Sequence, residues 1–373
     1  MKRSRSIAIV GGGPTGLLLG CLCAKHQLDF IILDDRSHHS THSRSIGLHP
    51  PSLKLFEEIG LLPALLEQGN RIDTGIAHVG EDQCGRIDFT RIDHGPPYIL
   101  TLAQSITESI LEQHLSKVAP EGLSRAQRAI SLTQQNDRYL IETDKGLTVS
   151  AEWVVACDGR NSFVRTQRNF TYRHHRYPDH YIMGDFVDHI GNRNEALVYL
   201  CREGLVESFP HSTNLRRWVL HTGQEPLSQS DPKILADQIG QRIGKHPDHT
   251  SCSMISQFQP EFFMADTFAE DQLLLAGDAA HAISPIGGQG MNLGWLDGAA
   301  AVEAIRAGSS SAIAHYAQHR RQMAQRAARR AEFNMSMGRP FKSIARTKLL
   351  LHALLHTPIK NVMSRRFTMH GLA

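Results

Sequence analysis

Three glycines near the amino terminus have the spacing that allows a protein backbone to approach a phosphate group. Gly11, Gly13 and Gly16 stand in the register G-x-G-x-x-G, with Pro14 and Thr15 between the last two. In this pattern the first glycine permits a tight turn, the second leaves room for a pyrophosphate, and the third lets a helix pack against a strand. The spacing therefore predicts dinucleotide binding.

The flanking residues predict the strand–helix–strand unit that such glycines need. Residues 6–10 (SIAIV) form a continuous apolar strand, and residues 14–26 a helix whose first amides would point at the phosphates. A second apolar strand at 30–33 ends at Asp34, about 20 residues beyond the glycines. A carboxylate there binds a ribose hydroxyl and favours a dinucleotide with a free 2′-hydroxyl, such as FAD or NAD.

Two more acids follow apolar strands further along the chain. Asp158 follows the strand predicted at 153–156, and Gly277-Asp278 follows the one at 273–275. A glycine-rich stretch at 284–292 then leads into another helix. An Asp at such a strand end can hold a ribityl hydroxyl, and helix amides can stabilise negative charge on a reduced flavin ring.

Together these motifs resemble those of the FAD-dependent monooxygenases of the p-hydroxybenzoate hydroxylase type. GGGPTG resembles the ADP-binding fingerprint of that family, and CDGRNSFVR resembles its "DG" motif, which serves FAD and NAD(P)H. AGDAAHAISPIGGQGMN resembles its "GD" motif, which holds the ribityl chain and the flavin ring. Residues 42–48 are similar to its arginine loop, and Gln104 to the start of its helix along the FAD.

The resemblance implies roles for individual residues. Asp34 would bind the adenosine ribose, Asp158 would contact FAD or help admit the nicotinamide, and Asp278 would bind ribitol and pyrophosphate. Pro285 would lie beside the isoalloxazine, and the amides of 288–292 would face N1 and the C2 carbonyl. The full set predicted to bind the cofactor is Gly11, Gly13, Pro14, Thr15, Gly16, Asp34, Arg44, Gln104, Asp158, Gly277, Asp278, Pro285, Gly288, Gly290, Met291 and Asn292.

Two positions depart from the family pattern. Asp34 stands where the family usually has Glu, and Lys25-His26-Gln27 stands where the first helix usually ends in Gly. A left-handed cap on Gln27 would cost roughly 1 kcal/mol relative to Gly. We expect either a positive φ at Gln27 or a helix that ends differently.

The implied architecture is an α/β fold with two interleaved units and C-terminal helices. A Rossmann-like FAD-binding domain of the glutathione reductase type would comprise 1–70, 98–175 and 265–330. An antiparallel substrate sheet would be formed by 71–97 and 176–264, with short strands such as 205–209. The run 295–330 predicts one long helix that breaks at Gly338-Arg339-Pro340, and 331–373 forms the C-terminal helical segment.

The resemblance implies an NAD(P)H-consuming monooxygenase, with NADH and NADPH both open as co-substrate. It would use dioxygen to hydroxylate an aromatic, polycyclic, polyketide or quinone-like small molecule through a flavin C4a-hydroperoxide. Three alternatives stay open: a prenyl reductase-like flavin oxidoreductase without oxygen insertion, a flavin halogenase, and a non-enzymatic flavin-binding module. The three tryptophans, at 153, 218 and 295, do not form the W-x-W-x-I-P motif of halogenases.

No convincing Ser-His-Asp set or metal cluster stands out in the sequence, so we expect no metal site. A base that deprotonates a phenol would come from the substrate sheet, and His211 after Pro210 is the first candidate. Tyr98, Tyr181 and His189 are comparable candidates. His281 follows the GD motif and is expected to be structural.

Composition excludes several classes of protein. Hydrophobic residues make up 41% of the 373, which excludes a disordered chain. Six cysteines without C-x-x-C favour a reducing compartment, so we expect a cytoplasmic protein. Glycines interrupt the apolar run before residue 24, so neither a signal peptide nor a membrane span is expected.

The net charge of +3 conceals an asymmetry along the chain. From residue 301 onward there are 13 Lys/Arg against two Glu, whereas the first 300 residues carry 27 against 35 Asp/Glu. A basic region of this kind suits either solvated helix faces or peripheral contact with an anionic membrane surface. We expect no nucleic-acid partner, and either a monomer or a homodimer.

Overall fold

The computed structural model describes residues 2–39, 45–91, 95–212, 214–357 and 359–372. The helices within this part of the chain are α1 (Pro14–Lys25), α2 (Pro50–Glu58), α3 (Leu62–Gln68), α4 (Gln104–Val118), α5 (Phe163–Gln167), α6 (Pro232–Ile243), α7 (Gly290–Ala307), α8 (Ser310–Gly338), α9 (Ile344–Leu355) and α10 (Ile359–Phe367). The strands are β1 (Lys2–Val10), β2 (Phe30–Leu33), β3 (Gly47–Leu48), β4 (Asn70–Ile72), β5 (Thr74–Val79), β6 (Asp82–Asp88), β7 (Ile99–Thr101), β8 (Leu123–Ser124), β9 (Ala129–Gln135), β10 (Arg138–Thr143), β11 (Thr148–Ala156), β12 (Tyr172–Arg176), β13 (His180–Val187), β14 (Glu195–Leu200), β15 (Val206–His211), β16 (Leu215–Gly223), β17 (Met254–Phe258), β18 (Glu261–Ala265), β19 (Ala269–Glu270), β20 (Leu273–Leu275) and β21 (His281–Ala282).

The apolar strands predicted around the acids form one mainly parallel sheet. Its order is β19-β20-β11-β1-β2-β8, with β10 and β9 added beside β11. The neighbours from β20 to β8 are all parallel, and β2 and the second half of β1 are buried. Because the strands are parallel, the residues that follow β1, β2, β11 and β20 meet at one edge of the sheet, where ligands of such sheets bind. The Rossmann-like part of the predicted fold class is confirmed.

Helix α1 packs between this sheet and helices α4 and α7. Its buried face contains Leu17, Leu18, Leu19 and Leu22, which explains why the sequence there is apolar. The helix ends at Lys25, and Gln27 follows with φ of 55°. Of the two alternatives expected here, the positive φ at Gln27 is therefore confirmed, although the residue is not glycine.

The second large sheet joins two stretches that are far apart in the sequence. Its order is β17-β13-β16-β15-β14-β5-β6, so the strands of 74–88 pair with those of 180–258. Every pair is antiparallel except β14 with β5, which run parallel with Leu197 opposite Ile76. The sheet is thus antiparallel as predicted, apart from this junction. A parallel pair is possible there because the two strands are joined by a long connection and not by a hairpin.

The predicted long helix from 295 is in fact two helices. Helix α7 ends at Ala307, Gly308 adopts φ of 63°, and the Ser309 hydroxyl accepts a hydrogen bond from the Ala312 amide. A left-handed glycine followed by a serine N-cap ends one helix and begins the next, so the expectation of one helix was wrong. Helix α8 ends at Gly338, where the break was expected.

The remaining strands form two sheets of three strands each, β12-β18-β21 and β3-β7-β4. Helices α9 and α10 pack against β6, and α9 also packs against β5, so they border the same face of the second sheet as α8. Within the described ranges, no helix is long and apolar enough to cross a membrane.

Candidate functional site

A cavity of about 930 Å³ lies between the carboxyl-end edge of the parallel sheet, the seven-stranded sheet and helices α8 to α10. Twelve of the sixteen residues predicted to bind a cofactor line it: Gly11, Gly13, Pro14, Thr15, Asp34, Gln104, Asp158, Asp278, Pro285, Gly288, Gly290 and Met291. The fold therefore brings together motifs that are more than 200 residues apart in the sequence.

Four predicted residues are not part of this lining. Gly16, Gly277 and Asn292 are buried directly behind it. Arg44 lies outside the described residues. Within the described part of the chain, no group of three or more His, Cys, Asp or Glu side chains could hold a metal ion.

The glycine turn after β1 depends on the absence of side chains. Gly11 has φ of +106°, and a Cβ there would lie 2.3 Å from the carbonyl oxygen of Cys157. A Cβ on Gly16 would lie 1.9 Å from the carbonyl oxygen of Gly11. The position of a Cβ on Gly13, by contrast, has only the Arg36 Nη2 atom within 4 Å, at 3.7 Å. The backbone at Gly13 is therefore open to the cavity, as close approach of a pyrophosphate requires.

Asp34 at the end of β2 is held by two arginines. Arg36 Nε donates to its Oδ1 at 3.1 Å, Arg125 Nη1 lies 3.1 Å from the same oxygen, and the Gly12 amide donates to Oδ2. Burial raises the pKa of Asp34, but the hydrogen bonds and charge of Arg36 outweigh it and keep the pKa below its ordinary value. Asp34 is therefore ionised, and its two oxygens accept four hydrogen bonds from Arg36 and Gly12 at the wall of the cavity.

Gln104 begins helix α4 and is linked to the same group of charges. Its Nε2 donates to Glu108 Oε1 at 2.8 Å, and Glu108 Oε2 lies 3.8 Å from Arg36 Nη1. Glu108 is fully buried. This arrangement fixes Gln104 at the cavity wall, and it connects the helix to Asp34 through Arg36.

Asp158 lies after β11, beside the glycine turn. Its Oδ2 accepts a hydrogen bond from the Val164 amide at 3.1 Å, which orients the carboxyl group at the start of α5. Its Oδ1 is buried and has no hydrogen-bond partner among the described residues. Burial raises the pKa of Asp158. An unpartnered carboxyl oxygen beside a cavity is expected where a ligand supplies the missing hydrogen bond.

Asp278 enters the cavity from a short 3₁₀ turn, Gly277–Ala279. Its carboxyl group is exposed to the cavity, and desolvation by the surrounding protein raises its pKa although His281 and Arg160 oppose the shift. Thr15 packs against this turn, since a Cβ on Gly277 would lie 2.7 Å from the Thr15 hydroxyl. The turn that carries Asp278 is thus built against the helix that carries the glycine motif.

A buried ion network supports this turn from behind. The Gly277 amide donates to Asp297 Oδ2 at 3.0 Å, and His281 Nε2 lies 2.6 Å from the same oxygen. Arg320 Nε donates to Asp297 Oδ1 at 2.8 Å and its Nη1 to the Leu372 carbonyl at 3.0 Å. His281 therefore positions the turn and does not line the cavity, in agreement with the structural role expected for it.

Asn292 clamps the glycine-rich loop to the segment before α2. Its Nδ2 donates to the carbonyl oxygens of Gly288 and Gly47, and its Oδ1 accepts from the His49 amide at 2.8 Å. His49 lines the cavity and was not predicted. Burial lowers the pKa of His49 to about 4, so its imidazole is neutral at pH 7.

His211, the predicted general base, lies at the end of β15 and does not line the cavity. Its Nε2 is 3.3 Å from Asp185 Oδ2, and Asp185 also receives two hydrogen bonds from Arg217, at 2.7 and 2.8 Å. Burial raises the pKa of Asp185, but Arg217 and His211 outweigh it and lower the pKa to about 2. The three side chains form a buried polar cluster at one end of the sheet.

Sequence reasoning missed the acid that does line the cavity from this sheet. Glu207 lies on β15 in phase with Leu205 and Phe209, and all three side chains line the cavity. The signal was present in the sequence, since an acid stood on the apolar face of the strand predicted at 205–209. The prediction chose a histidine by residue type; His211 has the same phase along the strand as Glu207, but it lies at the strand end, beyond the residues that line the cavity.

These residues fit a bound dinucleotide. The backbone at Gly13 is open, Asp34 is ionised, and Asp158 has an unpartnered oxygen at the wall of the cavity. The sequence matches the model of the family described as FAD binding domain over residues 4–331, and the chain therefore belongs to that family.

The resemblance to FAD-dependent monooxygenases is confirmed by individual relatives. The chain is 28% identical over 305 residues to an uncharacterized aromatic compound monooxygenase of Bacillus subtilis, covering 80% of this chain and 60% of that protein. It is 29% identical over 302 residues to a rifampicin monooxygenase of Rhodococcus hoagii, covering 78% of this chain and 61% of that one. The chain thus spans about three fifths of the length of these curated relatives.

The fold is similar to that of p-nitrophenol 4-monooxygenase from Pseudomonas putida. The TM-score is 0.88 at 22% sequence identity, and the match covers 100% of this chain and 99% of the other. The predicted fold class is confirmed by this likeness.

Proposed function

We propose that this chain is an FAD-dependent monooxygenase that consumes NADH or NADPH and dioxygen and hydroxylates an aromatic or polycyclic small molecule. The main support is that one cavity combines two kinds of wall. The dinucleotide motifs line one part, and the apolar face of the seven-stranded sheet lines the other. The names of the relatives support the same class of reaction.

Each predicted residue would bind the part of FAD that lies nearest to it. The backbone at Gly11 and Gly13 and the first amides of α1 would bind the pyrophosphate, and Asp34 the ribose of the adenosine. Asp278 would hold the ribityl chain, Asp158 would contact FAD or help admit the nicotinamide, and Pro285 and the loop at Gly288 would flank the flavin ring. When bound, FAD would supply the redox and oxygen chemistry, which no side chain can provide.

The rest of the chain would position the substrate and exclude water. Phe209, Val219, Phe333 and Leu351 present apolar surface to the cavity from the sheet and the C-terminal helices. Exclusion of water protects reactive species from hydrolysis and strengthens the electrostatic interactions in the site. The domain division predicted from the sequence is retained as part of this proposal.

The first test is retention of FAD by an Asp278→Ala variant. Purified wild-type protein should be yellow and release FAD on denaturation. The variant should retain at least about tenfold less, because a charged hydrogen bond contributes about 1.5–3 kcal/mol. Asp237→Ala removes an exposed acid on α6 and should retain FAD like the wild type. Unchanged retention in Asp278→Ala would refute its assigned role.

The second measurement separates oxygen insertion from simple flavin reduction. Oxygen-18 from labelled dioxygen should appear in the product when the holoenzyme consumes NADH or NADPH with a panel of phenols. NAD(P)H consumption without labelled product would favour the prenyl reductase-like oxidoreductase. Colourless protein that cannot be reconstituted with FAD would defeat the proposal.

We also propose peripheral contact between the C-terminal helices and an anionic membrane surface. The exposed apolar side chains on α9 and α10 include Leu349, Leu350 and Val362, with Leu349 71% exposed. Residues 341–373 contain six Lys/Arg and no Asp or Glu. Exposed apolar groups among cations are the combination that binds an anionic lipid surface. The six cysteines are free, which supports the proposed cytoplasmic location, and a monomer or homodimer is proposed.

A further inference from the structure

Glu207 is a carboxyl group in the substrate part of the cavity that the proposed mechanism leaves unused. It is 8% exposed, and its neighbours along the strand on the same face are Leu205 and Phe209. No described residue donates a hydrogen bond to Glu207 or forms an ion pair with it. Its pKa is shifted by burial. A buried acid without a partner is costly to retain, which points to a ligand.

The surroundings of Glu207 are apolar on the sides from which a substrate would approach. Val219 lies opposite it on β16 and Val198 opposite it on β14. Leu205, Val219 and Ile286 belong to one apolar cluster, so the glycine-rich loop packs close to this part of the sheet. The carboxyl group and the proposed flavin loop therefore border the same space.

The titratable groups on β16, which adjoins β15, and on β13 beyond it do not neutralise Glu207. Arg217 on β16 donates to Asp185, and His221 on β16 lies 3.2 Å from Asp179. Tyr181 on β13 is buried with a hydroxyl that has no hydrogen-bond partner among the described residues. Burial first, and then the charges of Asp179 and Glu207, raise the pKa of Tyr181, so it stays neutral.

Burial raises the pKa of Glu207 to about 7. A general base is most effective when its pKa lies near the operating pH. An ordinary surface glutamate is a much weaker base than this one at neutral pH, because its pKa is about 4.3.

We propose that Glu207 binds the hydroxyl group of a neutral phenol and receives its proton, and that the cavity excludes aromatic carboxylates. The proton transfer rests on the proposed function, whereas the binding preference does not depend on it. In the proton transfer, the phenol O–H bond breaks, an O–H bond forms on Glu207, and the electron pair stays on the phenolate oxygen. The charge of the pair is unchanged, and the ring becomes more electron-rich.

The exclusion follows from charge. A carboxylate beside ionised Glu207 would meet a like charge in an apolar site, where Coulomb repulsion is screened weakly. Arg217, the cation nearest to this wall by register, also lines the cavity, but its Nε and Nη2 donate to the two carboxylate oxygens of Asp185, which compensate its charge. A neutral phenol instead supplies the hydrogen-bond donor that Glu207 lacks.

Calorimetric titration of the FAD-loaded protein at about pH 8 tests the binding preference without any turnover. The probes are para-cresol, its methyl ether and para-toluate, which share a ring but differ in the group offered to Glu207. We expect cresol to bind at least about tenfold more tightly than either analogue, as for a charged hydrogen bond. Glu207→Leu should abolish this preference, and Glu225→Gln, an exposed control, should keep it.

The result that would overturn the inference is a wild-type protein without preference for cresol, or a Glu207→Leu variant that keeps the preference. Tightest binding of toluate by the wild type would also overturn it. If the preference depends on Glu207 but no labelled product forms, the proposed function fails while the binding inference stands.

Turnover of phenols then tests the proton transfer. Glu207→Gln can still accept the hydroxyl hydrogen bond but cannot take the proton, so kcat should fall about 10²-fold while KM changes little. The rise of kcat/KM with pH near neutrality should disappear in this variant. A variant with unchanged kcat and pH profile would show that Glu207 is not the base.

Discussion

At the scale of single residues, the site contains carboxyl groups whose surroundings make them chemically different. Arg36 keeps Asp34 ionised, whereas burial raises the pKa of Asp158, Asp278 and Glu207. Because the pKa values of these carboxyl groups are shifted in opposite directions, the groups can perform different functions in one cavity. Ionised Asp34 suits the ribose hydroxyls, and Glu207 suits a group that gives up a proton.

Glu207 should also make stability depend on pH. Its pKa is raised from 4.5 to about 7 in the folded state, so the folded protein binds this proton more tightly than the unfolded chain. Its contribution to stability is therefore lost as pH rises from about 4.5 through 7. At about pH 8, Glu207→Gln should raise the free energy of unfolding by up to about 3 kcal/mol, and by little below pH 4.5.

Urea denaturation of the substrate-free protein at both pH values measures this difference. Glu225→Gln is the matched control, because that carboxyl group is exposed. Equal effects of Glu207→Gln at the two pH values would contradict the raised pKa.

At the scale of elements, the local sequence was sufficient to predict a site residue where the motif occupies a single turn after a strand. The glycines at 11–16 and the acids after β2, β11 and β20 each follow a short apolar strand, and a parallel sheet brings such ends together. The break at Gly308 was not predicted, although glycine commonly follows the last residue of a helix and serine commonly caps the start of the next. Which residue of β15 faces the cavity depends on pairing with β14 and β16, and this is decided by residues distant in the sequence.

The end of α1 provides a test at this scale. Gln27 has φ of 55°, a conformation that glycine adopts without steric strain. Gln27→Gly should raise the free energy of unfolding by about 1 kcal/mol, as measured by the denaturation midpoint. Gln27→Ala keeps the Cβ and should give no such gain. A destabilised glycine variant would mean that the Gln27 side chain makes an unrecognised contribution.

At the scale of the whole molecule, charge and exposed apolar surface coincide on the C-terminal helices. The composition predicted the basic region, but only the packing of α9 shows its two faces. Leu351 and Leu355 face the cavity, while Leu349 and Leu350 face outward. The surface proposed to contact a membrane is thus the reverse side of a wall of the substrate cavity.

Vesicle sedimentation tests the proposed membrane contact. The protein should sediment with phosphatidylserine vesicles at low salt, but not with phosphatidylcholine vesicles or at about 1 M salt, where charges are screened within about 3 Å. The double variant Leu349→Gln/Leu350→Gln should bind several-fold more weakly, because it removes exposed apolar area. Ile130→Gln, at an exposed position on β9, is the control. Absence of binding by the wild type at low salt would refute the contact.

The parallel pair β5–β14 also has a consequence for how the chain folds. It joins residues 74–79 to residues 195–200, and the parallel sheet likewise needs β20 at 273–275 beside β11. During synthesis, neither sheet can be completed until more than half of the chain has left the ribosome. Pairings this distant in sequence slow folding and leave strand edges open for longer. Assembly should therefore proceed late and for both sheets together, and not one unit after the other from the amino terminus.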